Sequence, residues 1–211
     1  MANRNHALDG KIVAAARSEF LEKGYREASL RKIAERAGVT VGAIQIRYKT
    51  KDALFCSLLE PFLAEIEATF QATQVEYWQY PAADRITWLE KSMQMESETI
   101  LQLIFSHYED AVLLFCRSDA SSLAACFDEI TERKVRESAM FFREANARFF
   151  DENLLRLLIA SQLHSYCQIV RDGYEQGAAK RYMSALMRYH MGGWVALLNS
   201  ANAGKGDGNA L

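Results

Sequence analysis

Apolar residues recur three and four positions apart along almost the whole chain, the spacing of a single helical face, and no convincing series alternates with the period of a strand. The pattern predicts an all-α protein of about nine helices. The first is expected from about Leu8 to Lys23, with Ile12, Ala15, Ala16, Phe20 and Leu21 on one face and Gly24 as its left-handed stop. Ser29 caps a second helix whose buried stripe is Ile33, Ala34 and Ala37, and Thr40 caps a short third one ending near Tyr48. A long fourth helix repeats Leu54, Leu58, Phe62 and Ile66; Pro61 cannot donate to the Ser57 carbonyl, which predicts a kink there. Tyr77 to Pro81 is the expected joint to the next helix, which Pro81 opens at its first turn. Two or three helices then run to about Ala147, with a turn at Ser118 to Ser122. The last two are expected from Asp151 to Asp172 and from Gly177 to Asn199, separated by Gly173 and Gly177. The pattern divides the chain into a three-helix domain, 1–50, a larger helical domain, 51–202, and a frayed tail rich in Gly, Ala and Asn, 203–211.

Helices 2 and 3 carry the marks of a helix-turn-helix. Such a pair crosses steeply, so the first helix must be small at the crossing and the turn must tolerate positive φ. Ala34 and Gly38 meet those demands, and Val39 and Ile44 supply apolar plugs, although any short helical hairpin can carry the same series. Charge adds to the picture. Residues 1–55 hold eleven Lys/Arg against six Asp/Glu, leaving fourteen against twenty-one elsewhere, while the whole chain sums to only −2. A basic head on an acidic body suits oriented binding to a polyanion; an ordinary solvated face gives the same count.

The stretch from Ile12 to Phe55, with its Phe20-Gly24-Tyr25 exit from helix 1, its Ile33-Ala34-x-x-Ala37-Gly38-Val39 core, Gly42 and Lys51-Asp52-x-Leu54, resembles the DNA-binding domain of the TetR family. The resemblance implies that Thr40, Val41, Gly42 and Ala43 sit at or in the major groove and that Arg47 and Lys51 hold phosphates. Local chemistry agrees: free amides at the start of helix 3 favour an anion, Gly42 allows close approach, and an ammonium neutralises a phosphate. Ser29 and Tyr48 join this set, and Arg31 and Lys32 on helix 2 either add backbone contacts or, as Lys51 also could be, are solvated residues near a helix start. Two positions depart from the family pattern. Gln45 replaces a usual tyrosine and Tyr48 a usual phenylalanine; Gln45 either contacts phosphate or adenine or is a weakened contact. Ile46 either meets a thymine methyl or is simply packed or exposed.

Large, adaptable side chains crowd the middle helices, and most such stripes are core. TetR-like bodies enclose an effector cavity, which on this resemblance would be lined by Trp88, Met95, Phe105, Tyr108 and Phe115, with His107 or Tyr108 as a polar contact for a small apolar or aromatic effector. The last two helices have wide apolar arcs, Leu155, Ile159, Leu163 and Tyr166 on one and Tyr182, Leu186, Tyr189 and Gly193 on the other. They form either the four-helix interface of a homodimer or the completion of one chain's own core. Two heads about one helical turn apart, roughly 34 Å, would read a near-palindromic operator in double-stranded DNA. Ligand binding at the far end of helix 4, bent at Pro61, would spoil that spacing, making the protein a ligand-released repressor; activation uses the same head.

Half of the 211 residues are hydrophobic, enough for a core without disulfides. Cysteines 56, 116, 126 and 167 show no CxxC pair and no signal peptide precedes them, so they read as reduced residues of a cytoplasmic protein, inert unless Cys116 and Cys126 meet as a redox pair. Charges interrupt every apolar run, excluding a membrane helix. His107 and Glu109 are two apart and point to different helix faces, which argues against a metal. GxSxG, P-loop, HExxH and GxGxxG motifs are missing, so neither an enzyme nor a cofactor is expected. The rival reading is a helical ligand-binding or adaptor module without specific DNA binding.

Overall fold

The computed structural model describes residues 6–78, 85–144 and 151–203, and among them it contains nine α-helices, one 3-10 turn and no strand. The helices are α1 (His6–Glu27), α2 (Leu30–Ala37), α3 (Val41–Tyr48), α4 (Lys51–Trp78), α5 (Arg85–Ser106), α6 (Tyr108–Cys116), α7 (Cys126–Glu144), α8 (Glu152–Arg171) and α9 (Gln176–Ala203), with the 3-10 turn at Ser122–Ala125. The all-α architecture with an N-terminal helix-turn-helix agrees with the apolar spacing. Helix α4 is continuous through Pro61, whose ring is exposed. The break between α5 and α6 falls at His107, with neither Gly nor Pro to signal it. Pro81, the turn near Ala147 and residues 204–211 lie outside the described residues. No single described helix is long and apolar enough to cross a membrane; the one pair that passes together on length and composition is bent by 98° at this break.

Contacts divide the chain into two compact units, 1–67 with 103–126, and 68–102 with 127–211, so that α4 and α5 each contribute to both. In the first unit, α1 packs on α2 and on α6. Its core is anchored by Phe20 and Phe55, edge to face at 4.9 Å, with the Tyr25 ring 5.2 Å from Phe55. Gly24 makes the end of α1 possible: at φ 72°, ψ 166° it occupies a region essentially closed to other residues, and it turns the chain so that the Tyr25 amide donates to the Arg117 carbonyl at 2.8 Å. Further links tie the α1–α4 region to α6 and the segment after it. Arg17 pairs with Asp110, Arg26 with Asp119 at 2.8 Å, and the Ser122 amide and hydroxyl donate to Asp52 at 2.9 and 2.7 Å. Those two bonds hold the Asp52 carboxyl below its ordinary range.

In the second unit α8 packs along α9. Asp151 caps α8 by accepting from the amides of Asn153 and Leu154 at 2.6 and 2.9 Å. The α8 residues Leu155, Ile159, Leu163 and Tyr166 are buried within the single chain, as are Met183, Met187, Met191 and Trp194 of α9. Tyr166 is additionally bonded to Ser97 of α5, and burial pushes its phenol upward.

His190 also lies in this core, and burial pushes its imidazole below the ordinary value because charging it would forfeit solvation. The unfolded chain therefore takes up that proton first. Stability is complete above about pH 6.5 and falls as the pH drops from there toward the lower pKa of the folded state. The thermal midpoint is expected to be lower at pH 5.5 than at pH 7.5, and His190→Gln should flatten that difference in scanning calorimetry. Equal falls in both proteins would assign the acid loss to another group.

Candidate nucleic-acid interface

Four local devices build the α2–α3 pair. The Ser29 hydroxyl accepts from the Arg31 amide at 3.2 Å, capping α2, while the Ser29 amide itself donates to the buried Glu19 carboxylate at 3.4 Å. Ile33, Ala34 and Ala37 turn inward. Gly38 then adopts φ 66°, ψ 38°, and the Gly38 and Val39 amides donate to the carbonyls of Glu35 and Ala34 at 3.2 and 3.0 Å, the paired closure of a left-handed helix end. Thr40 caps α3 by accepting from the Ala43 amide at 3.1 Å. With Ile44 buried, Gly42, Gln45 and Ile46 occupy the opposite, exposed face, related by three and four residues. Thr40 is also exposed, and Val41, Ala43 and Tyr48 are half-buried.

The cations of this region fall into two groups. Arg31 and Lys32 are exposed on α2, and the Lys32 ammonium donates to the similarly exposed Glu35 at 3.0 Å. Arg47 and Lys51 are engaged internally. The Arg47 guanidinium donates to Asp9 at 2.6 Å and to the Ala43 carbonyl at 3.2 Å. The Lys51 ammonium donates to the carbonyls of Tyr25, Ala28 and Arg26 at 2.7, 3.0 and 3.3 Å and stands 4.4 Å from the Tyr25 ring, closing the end of α1. Arg36 similarly braces α2 on α1 through Glu22 and Ser18 at 2.6 and 2.8 Å and Glu19 at 3.3 Å. Arg36, with Lys23, holds the Glu22 carboxyl down to about 2.

Sequence reasoning missed the Glu19, Asp52 and Asp110 links. A buried Glu at an otherwise apolar helix position, and an Asp beside Lys51, were the available signals, but their partners lie far away in the chain.

The six side chains named for an effector cavity divide between the units. Phe105 and Tyr108 stack at 5.9 Å, and His107 lies 3.5 Å from Glu65 and 3.7 Å from Asp110; with half-buried Phe115 these belong to the first unit. Trp88 is buried in the second unit, where exposed Met95 lines an open groove of about 960 Å³ between α5 and α9 that also presents Lys180, Arg181 and Arg188. On α9, Tyr182, Tyr189 and Gly193 are exposed and Leu186 is half-buried. All four cysteines are free thiols, but only Cys167 is buried, and Cys116 is exposed. No group of three or more His, Cys, Asp or Glu among the described residues is placed to hold a metal ion.

Residues 12–58 match the TetR N-terminal family, described as "Bacterial regulatory proteins, tetR family". No curated protein sequence matches the chain. Solved structures share its fold at low identity. NalD of Pseudomonas aeruginosa, described as the secondary repressor of the MexAB-OprM multidrug efflux pump, is 18% identical with a TM-score of 0.61, over 89% of this chain and 97% of its own. A TetR-like transcriptional regulator from Rhodococcus sp. RHA1 is 17% identical, TM-score 0.60, over 88% and 96%. The regulator FadR from Bacillus subtilis, described in complex with stearoyl-CoA, is 19% identical, TM-score 0.57, over 85% and 97%.

Proposed function

We propose that this chain, a TetR-family protein by its residues 12–58 and its fold, is a homodimeric DNA-binding transcriptional regulator, a repressor that a small apolar or aromatic effector releases from a near-palindromic operator. Residues 1–50 are its DNA-binding domain and 51–202 its effector-binding and dimerisation domain. The observation that carries the reading is the capped α2–α3 pair, which turns Gly42, Gln45 and Ile46 outward from a basic segment. Thr40 and the open amides of α3 suit a phosphate, and Arg31 and Lys32 add sequence-independent attraction. Arg47 and Lys51 act instead by fixing the position of α3 and the end of α1, given their internal bonds.

A pair of heads needs a dimer, and α9 offers a face for one. Tyr182, Ala185 and Tyr189 follow one another at three- and four-residue steps, Gly192 and Gly193 lie three and four residues beyond Tyr189, and all five are exposed; Leu157 of α8 is 70% exposed. Nothing lies within 4 Å of a Cβ built on Gly192 or Gly193, so the monomer itself does not require glycine there, whereas close helix approach between two copies does. The solved structure of the Bacillus subtilis neighbour, described in complex with stearoyl-CoA, supports an effector with an apolar part.

Fluorescence anisotropy of the purified protein against the DNA upstream of its own gene, beside scrambled DNA across a salt series, tests the reading. The native fragment is expected to bind on the order of a thousandfold more tightly, with a steep salt slope. Absence of binding to both at low salt would leave the ligand-binding adaptor.

A further inference from the structure

Two residues on the outward face of α3 are not required by the fold of the single chain. Ile46 is 83% exposed, and a β-branched side chain there gains nothing from burial while restricting its own rotamers. Gly42 lies in the first turn of the same helix with ordinary backbone; a Cβ there would meet only the Thr40 hydroxyl at 3.8 Å, so the fold has room for alanine, which favours a helix more. One side chain is larger and the other smaller than the isolated chain requires, four residues apart on one face. An external surface that approaches closely at Gly42 and offers an apolar bump at Ile46 accounts for both.

The major groove has such a surface. Its one apolar group is the thymine C5-methyl, and adenine presents the N6 donor and N7 acceptor that a glutamine amide matches in pairs. Guanine is read by Arg or Lys and cytosine by Asp or Glu, yet α3 contains no carboxylate, and its one cation, Arg47, is held by Asp9 and the Ala43 carbonyl. The next cation, Lys49, lies past the helix end, with its backbone turned to φ 63°. We infer that α3 reads adjacent A·T base pairs, Ile46 packing on a thymine methyl and Gln45 bonding the major-groove edge of an adenine, with Gly42 admitting the backbone. Gln45 is then a specificity determinant in this chain. The inference rests on the DNA-binding reading above.

The test starts from duplexes selected by the full-length protein from a random-sequence pool. The wild type is expected to enrich a site with paired A·T steps in each half. Replacing those thymines by deoxyuridine removes only the methyl and should weaken wild-type binding about fourfold for each methyl lost. Ile46→Ala should bind the thymine site more weakly by a similar or larger factor and lose sensitivity to the methyl. Gln45→Arg should shift the preferred adenine toward guanine. If the wild type enriches a site that lacks A·T steps, or Ile46→Ala stays as sensitive to deoxyuridine as the wild type, the assignment of α3 fails while the regulator stands. If the wild type enriches nothing, both readings fall.

Discussion

Tyr189→Glu is expected to convert the proposed dimer to a monomer and to lower affinity for the selected operator by about a hundredfold or more. Tyr189 is 76% exposed and sits in the middle of the α9 stripe, so at a two-fold interface each copy brings the same side chain to the same patch. Two carboxylates would then be desolvated near the symmetry axis without a partner, a penalty of several kcal/mol for each buried charge. A monomer keeps one head and one half-site. Specific binding then falls toward the non-specific range, typically about a thousandfold or more weaker. Sedimentation velocity reads the first effect and anisotropy the second, while circular dichroism should be unchanged, since an exposed position takes no part in the core. A dimer that survives with full affinity would place the interface on another face.

Lys51→Ala is expected to lower the thermal midpoint by roughly 4–8 °C and to leave the salt dependence of DNA binding almost unaltered. The ammonium's three carbonyl acceptors are Tyr25 and Arg26 in the last turn of α1, where helical partners run out, and Ala28 just beyond it. Hydrogen bonds from a charged donor contribute about 1.5–3 kcal/mol in favourable settings. Partial exposure and sharing among three acceptors reduce the sum to about 2 kcal/mol, worth roughly 2–4 °C per kcal/mol in a chain of this size. A phosphate-bound lysine behaves differently: its loss would reduce the salt slope by about one per head and leave the melting temperature nearly unmoved. Differential scanning fluorimetry beside a salt titration separates the two. An unchanged midpoint with a shallower slope would return Lys51 to the DNA.

The sequence by itself determined what depends on a few neighbouring residues. Ser29, Gly38 and Thr40 act through backbone groups two to four positions away, so spacing alone identifies both ends of α2 and the start of α3. The inward stripe of Ile33, Ala34, Ala37 and Ile44 follows from helical period in the same way. Tertiary structure decided which of several partners a group meets. A helical period shows that α8 has an apolar arc at Leu155, Ile159, Leu163 and Tyr166, but not what covers it; in the folded chain these four side chains are already buried. Lys51 beside Asp52 fits a phosphate as well as a helix end; the fold brings the carbonyls of α1 to the ammonium and Ser122 to the carboxylate, across 70 residues in the second case. The break at His107 has no local breaker, and Arg17 meets Asp110 of the following helix across 93 residues, a long-range pairing that spacing along the chain cannot reveal. Local hydrogen bonds carry their information in the sequence window that forms them, whereas the competition among distant partners is resolved only when the whole chain has folded.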